Sequence, residues 1–158
     1  MVKLLILDRD GVLNKVPQVG ERYISKVKDL EINQNFIRKL EGINSEISLC
    51  VISNQQGVGL NIISLETIHS IEDKIQESLS SIGCKITKFY YCFHQIESKC
   101  SCRKPKIGNF LKAFKDFEVT PNQCLYIGDQ KTDEIAARYA KIRFYYEKQL
   151  TNQLIISL

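Results

Sequence analysis

Five short runs dominate what this chain can become: KLLILD (3–8), SLCVIS (48–53), KITKFYYC (85–92), QCLYIG (123–128) and KIRFYY (141–146). They are rich in β-branched, leucine or aromatic residues, are bounded by polar or turn residues, and read as buried strands. Most lack a clean polar alternation, as parallel strands covered on both faces do. Helical patterns lie between them. The clearest follows Ser64, a suitable N-cap, with Leu65, Ile68, Ile71, Ile75, Leu79 and Ile82 at steps of three and four and Gly83 as a stop. Weaker ones run through Phe36, Ile37 and Leu40, through Phe110, Leu111 and Phe114, and through Ile135, Ala136 and Tyr139. The alternation predicts right-handed βαβ units and an α/β fold with a doubly wound, mostly parallel open sheet. Ligands of such sheets bind beyond the carboxyl ends of the strands.

A chain of 158 residues with 44% apolar content is sized for one domain, spanning 1–158, and can bury a core without staples. No insertion is long enough for a separate cap domain, so the site is expected to be fairly open. The N-terminus shows no basic start, apolar run and cleavage site in series, and no apolar run approaches the ~20 residues that span a bilayer. The expectation is a soluble cytoplasmic protein with no membrane partner. In a reducing compartment, six cysteines argue for metal ligation or catalysis over a disulfide framework. Cys50, Cys84 and Cys124 sit in or beside apolar segments and read as packing. A net charge of +4, spread along the chain apart from residues 103–106, demands no nucleic-acid partner and suits a small anionic substrate.

The strand ends carry the chemistry. The first strand closes on Asp8, Asp10 follows, and Gly11 lets the chain turn sharply. The second ends in Ser53 and Asn54, and the fourth in Asp129, with Asp133 about one helical turn further on. Three carboxylates brought together repel unless a cation joins them, and a hard oxygen site calls for Mg²⁺. An anionic substrate needs cationic partners, and Arg103, Lys104 and Lys106 follow the third strand. Nucleophile, acid/base, metal and phosphate clamp at separate strand ends form the inventory of phosphoryl transfer. Any one of these pairs alone reads as a turn or helix cap; their joint placement carries the functional reading.

Beyond the third strand, Cys92-x-His94 and Cys100-x-Cys102 are separated by five residues. Two close pairs joined by a short loop can set three thiolates and an imidazole tetrahedrally around Zn²⁺. Protein fills all four positions, so this zinc is expected to be structural and to present Arg103 and Lys104 from a loop at 92–102. Cys92 also suits a core position. His69, on the amphipathic helix, reads as solvated surface.

The segments LLILDRDGVLN, VISNQQGVG, CRKPKIGNF and YIGDQKTDE resemble the four motifs of the haloacid dehalogenase superfamily of phosphatases. With the Cys/His loop, the set resembles the subgroup of D-glycero-D-manno-heptose 1,7-bisphosphate phosphatases and histidinol-phosphate phosphatases, from Lys3 to about Tyr146. The resemblance implies a Rossmann-like core with a zinc loop and no large cap. It makes Asp8 the nucleophile that forms an aspartyl-phosphate and Asp10 the general acid/base, with a pKa expected to be raised by its acidic neighbours. It assigns Mg²⁺ to Asp8, the Asp10 carbonyl and Asp129, and Zn²⁺ to Cys92, His94, Cys100 and Cys102. Ser53 and Lys104 match phosphoryl-stabilising positions, Asn54 beside them is a candidate substrate contact, and Arg103 matches a substrate-recognition position. Asp133 is expected to orient Lys104 or a metal-bound water.

The sequence departs from the heptose pattern at Leu60, where that subgroup commonly has an arginine, and at Phe93, where a proline usually follows the first zinc cysteine. The short zinc-loop spacer suits the histidinol group, whereas DRDGVLN, RYIS and RKPKIG look like the heptose enzymes. Lys15, Arg22 and Tyr23 are candidates for a sugar and its far phosphate; Glu21 or Glu97 for a histidinol ammonium. The leading expectation is a heptose bisphosphate phosphatase, monomeric and acting on a small phosphate ester. The alternatives are histidinol phosphate, a polynucleotide 3′-phosphatase, which needs lysines and stacking aromatics along a groove, and an inactive zinc-stabilised binding module.

Overall fold

The computed structural model describes residues 1–17, 21 and 23–158. Five strands, β1 (Leu4–Leu7), β2 (Ser48–Asn54), β3 (Ile86–Cys92), β4 (Cys124–Gly128) and β5 (Arg143–Tyr146), form one sheet in the order β3-β2-β1-β4-β5. Every pairing is parallel, with Leu7 opposite Val51 on one side and Ile127 on the other. All carboxyl ends therefore share one edge. The helices are α1 (Gln34–Lys39), α2 (Gln56–Gly59), α3 (Leu65–Ser80), α4 (Gly108–Asp116), α5 (Lys131–Ala140) and α6 (Asn152–Ile156). No helix among the described residues is long and apolar enough to cross a membrane.

Alternate strand residues feed two cores. Leu5, Leu7, Leu49, Val51, Leu125 and Ile127 pack with Phe36 and Ile37 of α1 and Ile71, Ile75 and Leu79 of α3. Leu4, Ile6, Cys50, Ile52 and Tyr126 point the other way, toward Phe110 and Ala113 of α4 and Ala136, Ala137 and Ala140 of α5. Both faces of β1 are dry, which is why its sequence shows no polar alternation. The Ser64 side chain caps α3 by accepting from the Thr67 N–H at 3.0 Å. Cys50 and Cys124 are buried core residues, and burial raises both thiol pKa values.

Candidate active site

Asp8 stands one residue beyond β1 and is 6% exposed. Its Oδ1 accepts from the Arg9 backbone N–H at 2.7 Å and from Lys104 Nζ at 2.9 Å. Oδ2 is the carboxylate oxygen left over. Burial is the largest influence and pushes this carboxyl up; Lys104 pulls it back, while Asp133 and Asp10 reinforce the rise.

Lys104 is 4% exposed and reaches four acceptors: Asp8 Oδ1, Asp133 Oδ1 at 2.8 Å, the Ile52 carbonyl at 3.0 Å and the Tyr126 hydroxyl at 2.8 Å. Burial disfavours its charge, yet the two carboxylates more than offset this and raise its pKa. Its backbone is clamped as well. The Lys104 N–H donates to Asn54 Oδ1 at 2.9 Å, and Asn54 Nδ2 donates to the Lys104 carbonyl at 3.2 Å. Asn54, expected to meet substrate, spends both ends of its amide on positioning Lys104, although it also lines the cavity over Asp8.

Asp133 uses both oxygens twice. Oδ1 accepts from Lys104 and from the Tyr126 hydroxyl, and Oδ2 accepts from the backbone N–H groups of Asp129 and Gln130. Burial pushes its carboxyl up, but Lys104 and these donors outweigh it and hold the group below its ordinary value. Asp129 differs. Gln130 donates to its Oδ2 at 2.6 Å, whereas Oδ1 is buried with no hydrogen-bond partner. One oxygen each from Asp8, Asp129 and Asp133 falls within a 4.8 Å span. A hard-oxygen set with an orphaned buried oxygen fits Mg²⁺, and Asp129 is the member with a lone pair to spare. Asp129 approaches so closely that a Cβ on Gly11, whose φ is +87°, would lie 2.1 Å from its Oδ2, so a side chain there would displace that carboxylate and strain the backbone.

Asp10 corrects one expectation. Its acidic surroundings were expected to raise its pKa, but the carboxyl is lowered: burial pushes it up, and Arg9, Asn14 and Gln55 more than reverse this. Arg9 is fully buried and forks onto Asp10 through Nε at 3.1 Å and Nη2 at 3.0 Å. Asn14 Nδ2 donates to Oδ1 at 2.9 Å. Gln55 Nε2 donates to Oδ2 at 2.7 Å and to Ser53 Oγ at 3.1 Å, tying Ser53 to the acid/base candidate. Together Asp8, Asp10, Ser53, Asn54 and Lys104 line a cavity of about 180 Å³, large enough for a phosphoryl group. A fixed carboxylate oxygen, a buried cation and a hydrogen-bonded acid/base around such a cavity can support in-line attack on phosphorus.

A family profile described as polynucleotide kinase 3 phosphatase matches residues 3–149. A D-glycero-beta-D-manno-heptose-1,7-bisphosphate 7-phosphatase from Helicobacter pylori (strain ATCC 700392 / 26695) is 32% identical over 143 residues, covering 89% of this chain and 80% of that protein. The chain belongs to the haloacid dehalogenase superfamily, in the heptose bisphosphate phosphatase family. A D-glycero-alpha-D-manno-heptose-1,7-bisphosphate 7-phosphatase from Campylobacter jejuni is 30% identical to this phosphatase, covering 89% of this chain and 78% of the other. The fold matches the crystal structure of a D,D-heptose 1.7-bisphosphate phosphatase from B. bronchiseptica, complexed with magnesium and phosphate, with a TM-score of 0.84 at 22% identity and coverage of 94% and 85%.

In this phosphatase, Cys92, His94, Cys100 and Cys102 present one ligand atom each within 4.8 Å. The Cys92 and Cys100 sulfurs are 3.6 Å apart, and His94 Nδ1 is 3.2 Å from Cys102 Sγ. Tetrahedral Zn–S bonds set sulfurs about 3.8 Å apart, so the cluster is near the size of such a site. Burial raises the Cys100 thiol, yet the Arg103 backbone N–H and the neighbouring thiols outweigh it and bring it down to about 6, while burial and its own neighbouring thiols push Cys92 up to about 12. A thiolate at neutral pH suits a metal ligand. Arg103 follows the cluster, is half-buried and does not line the cavity over Asp8. Arg22 lies outside the described residues.

Arg9, Asn14, Gln55 and Tyr126 escaped the sequence reading. The one available signal was the cation between two carboxylates in Asp8-Arg9-Asp10, which has to be partnered once the strand end is buried.

Proposed function

We propose that this phosphatase removes the 7-phosphate of D-glycero-D-manno-heptose 1,7-bisphosphate, as a single-domain, monomeric cytoplasmic enzyme. The observation that carries the chemistry is Asp8: one oxygen is fixed by Lys104 and the Arg9 N–H while the other is left to the cavity. The substrate comes from the heptose-acting relatives at 30–32% identity.

Asp8 Oδ2 attacks phosphorus, the P–O bond to the sugar breaks, and the leaving oxygen takes a proton from Asp10. Asp10 then takes a proton from water, whose oxygen attacks phosphorus and releases Asp8 and inorganic phosphate. Arg9, Asn14 and Gln55 stabilise the ionised form of Asp10 needed in the second half. An incoming phosphoryl anion opposes that charge and favours the proton needed in the first. Asp8, the Asp10 carbonyl and Asp129 would hold Mg²⁺, which when bound neutralises phosphoryl charge. Asp133, saturated by four donors, orients Lys104. Cys92, His94, Cys100 and Cys102 would hold a structural Zn²⁺ that fixes the loop carrying Arg103 and Lys104.

The test is phosphate release with Mg²⁺ from both anomers of the heptose bisphosphate, from histidinol phosphate and from a 3′-phosphorylated oligonucleotide, with Asp8→Asn as the blank. We expect turnover of one heptose anomer at least tenfold above the other substrates, and none by Asp8→Asn. Turnover by Asp8→Asn would overturn the nucleophile, and preference for either of the other substrates would overturn the heptose.

A further inference from the structure

Three aromatic side chains of the edge strand stand in a row behind the catalytic groups, on the face of the sheet that α3 covers. Phe89, Tyr91 and Phe93 alternate along β3 and one residue past it, so their rings share a face. Tyr91 stacks on Phe89 with centroids 5.9 Å apart and on Phe93 at 5.5 Å. Phe93 belongs to the Cys/His loop, between Cys92 and His94, at the position where the heptose pattern usually has a proline. A proline could not supply that ring.

The pairing register leads from this row to Arg9. Leu7 lies opposite Val51 and Val51 opposite Phe89; two residues on, Ser53 lies opposite Tyr91, and Arg9 follows Leu7 at the same interval. Arg9 spends Nε and Nη2 on Asp10, whereas its Nη1 is buried without a hydrogen-bond partner. The Tyr91 hydroxyl is likewise buried without an aligned partner, with Arg9 and the Glu72 carboxylate as its charged neighbours. Burial is the largest influence on this phenol and raises its pKa; Arg9 opposes the rise and Glu72 adds to it. Glu72 is on α3, and its side chain is 19% exposed. One turn further along, Gln76 fixes α3 to β3 by exchanging two hydrogen bonds with the Ile86 backbone, at 2.7 and 2.8 Å. Buried polar groups in native proteins are partnered, so an orphan donor beside an orphan hydroxyl marks a pair.

We propose that Tyr91 is a positioning residue for Asp10: its hydroxyl, set in place by the Phe89–Tyr91–Phe93 stack, accepts from Arg9 Nη1 and donates to Glu72, and so holds the fork that aims Asp10 at the leaving oxygen. A fork is aimed only as well as its far end is held. If the guanidinium swings, the Asp10 carboxylate moves with it, and proton donation requires hydrogen-bond reach of the leaving oxygen. Through Phe93 the same row ties the aim of Asp10 to the Cys/His loop. The inference rests on Asp10 as the general acid and adds what keeps it in place.

The test uses the dependence on leaving group, which a purely structural role does not alter. A sugar alkoxide needs a proton as it departs, and p-nitrophenolate needs little. The ratio of kcat/KM for the sugar phosphate turned over best to that for p-nitrophenyl phosphate is measured in the full-length wild type, Asp10→Asn, Tyr91→Phe, Phe93→Leu and Phe93→Tyr. We expect the ratio to fall about a hundredfold in Asp10→Asn. It should fall about fivefold in Tyr91→Phe, which keeps the ring and the stack, and about threefold in Phe93→Leu, with Phe93→Tyr restoring it. Equal losses on both substrates in Tyr91→Phe, or none, while Asp10→Asn behaves as expected, overturn the proposal and leave the general acid standing. An unchanged ratio in Phe93→Leu overturns the link to the loop. An unchanged ratio in Asp10→Asn overturns the general acid and this role of Tyr91 with it.

Discussion

At the scale of single residues, the side chain with the greatest leverage over the site is one that never reaches the cavity. Arg9 is fully buried, and its fork holds Asp10 in place from behind. Arg9→Met keeps the aliphatic volume and removes the charge, leaving a part-buried carboxylate with only neutral donors. We expect a loss of roughly 1–3 kcal/mol in stability. Steady-state kinetics on p-nitrophenyl phosphate should show kcat falling on the order of tenfold with little change in KM, since Arg9 does not line the cavity. An unchanged kcat would show that Asp10 needs no such support. Tyr126 joins Lys104 to Asp133 through its hydroxyl, so Tyr126→Phe should lower the thermal midpoint by about 2–4 °C, the scale of one buried hydrogen bond in a domain of this size. An unshifted midpoint would mean that the direct Lys104–Asp133 pair suffices. Asp8, Asp10, Ser53 and Asp129 were legible because each stands at or just after a strand end and strand ends converge, and Lys104 because it belongs to the basic group that follows the Cys/His loop. Tyr126 was not: an aromatic residue inside a buried strand reads as core, and only its partners from residues 104 and 133 make the hydroxyl part of the site. Asn54 was read as a substrate contact because the sequence shows it beside Ser53 but does not show the Lys104 backbone lying against it.

At the scale of elements, two loops lean on each other at the mouth of the site. A Cβ on Gly59, at the end of α2, would lie 2.1 Å from the Phe93 carbonyl, and Gln95 Nε2 donates to the Gly59 carbonyl at 3.0 Å. The obstacle is backbone, so Gly59→Ala must move the Cys/His loop. We expect a lower thermal midpoint and weaker retention of the Zn²⁺ proposed for that loop, read by a melting scan and metal analysis of the same preparation. Wild-type values in both would show that the two loops are independent. Cys100→Ser should likewise release the metal, because ligation and loop folding are linked. The remaining thiols behave differently. Cys50 and Cys124 are wholly buried with raised pKa values, so brief iodoacetamide treatment of the native protein should leave both unmodified, as mass mapping would show. α3 was legible because its apolar period is long enough to have one interpretation, and the strands because their short apolar runs are bounded by polar or turn residues. The short helices α2 and α6 were not, since four residues with two glycines and five residues beyond the last strand show no period; tertiary contacts hold them. Ile155 of α6 is fully buried, and Asn152 Nδ2 donates to the carbonyls of Lys39 and Glu41.

At the scale of the whole molecule, the sheet order places the catalytic strand in the middle. β1 pairs with β2 on one side and β4 on the other, so Leu4 lies opposite both Ser48 and Cys124. The all-parallel sheet and its carboxyl-edge site were legible as a class from the alternation of strands and helices, but the strand order was not, because every parallel order satisfies the same hydrophobic pattern. A chain ended after Thr120 keeps Asp8, the Cys/His cluster and Lys104 yet lacks β4, and we expect it to give no cooperative unfolding transition by circular dichroism. A cooperative melt of that fragment would show that the first three strands form a sheet without their fourth. The central position of β1 also has a consequence for how the protein is born. The strand leaves the ribosome before both of its neighbours, and the second of them, β4, follows only after about 6–24 s of synthesis at ordinary elongation rates. Throughout that interval the nascent chain carries an apolar strand with an unpaired edge, the kind of surface that aggregates or recruits a chaperone, so the same topology that shelters the nucleophile in the finished enzyme leaves it among the longest-exposed parts of the unfinished one.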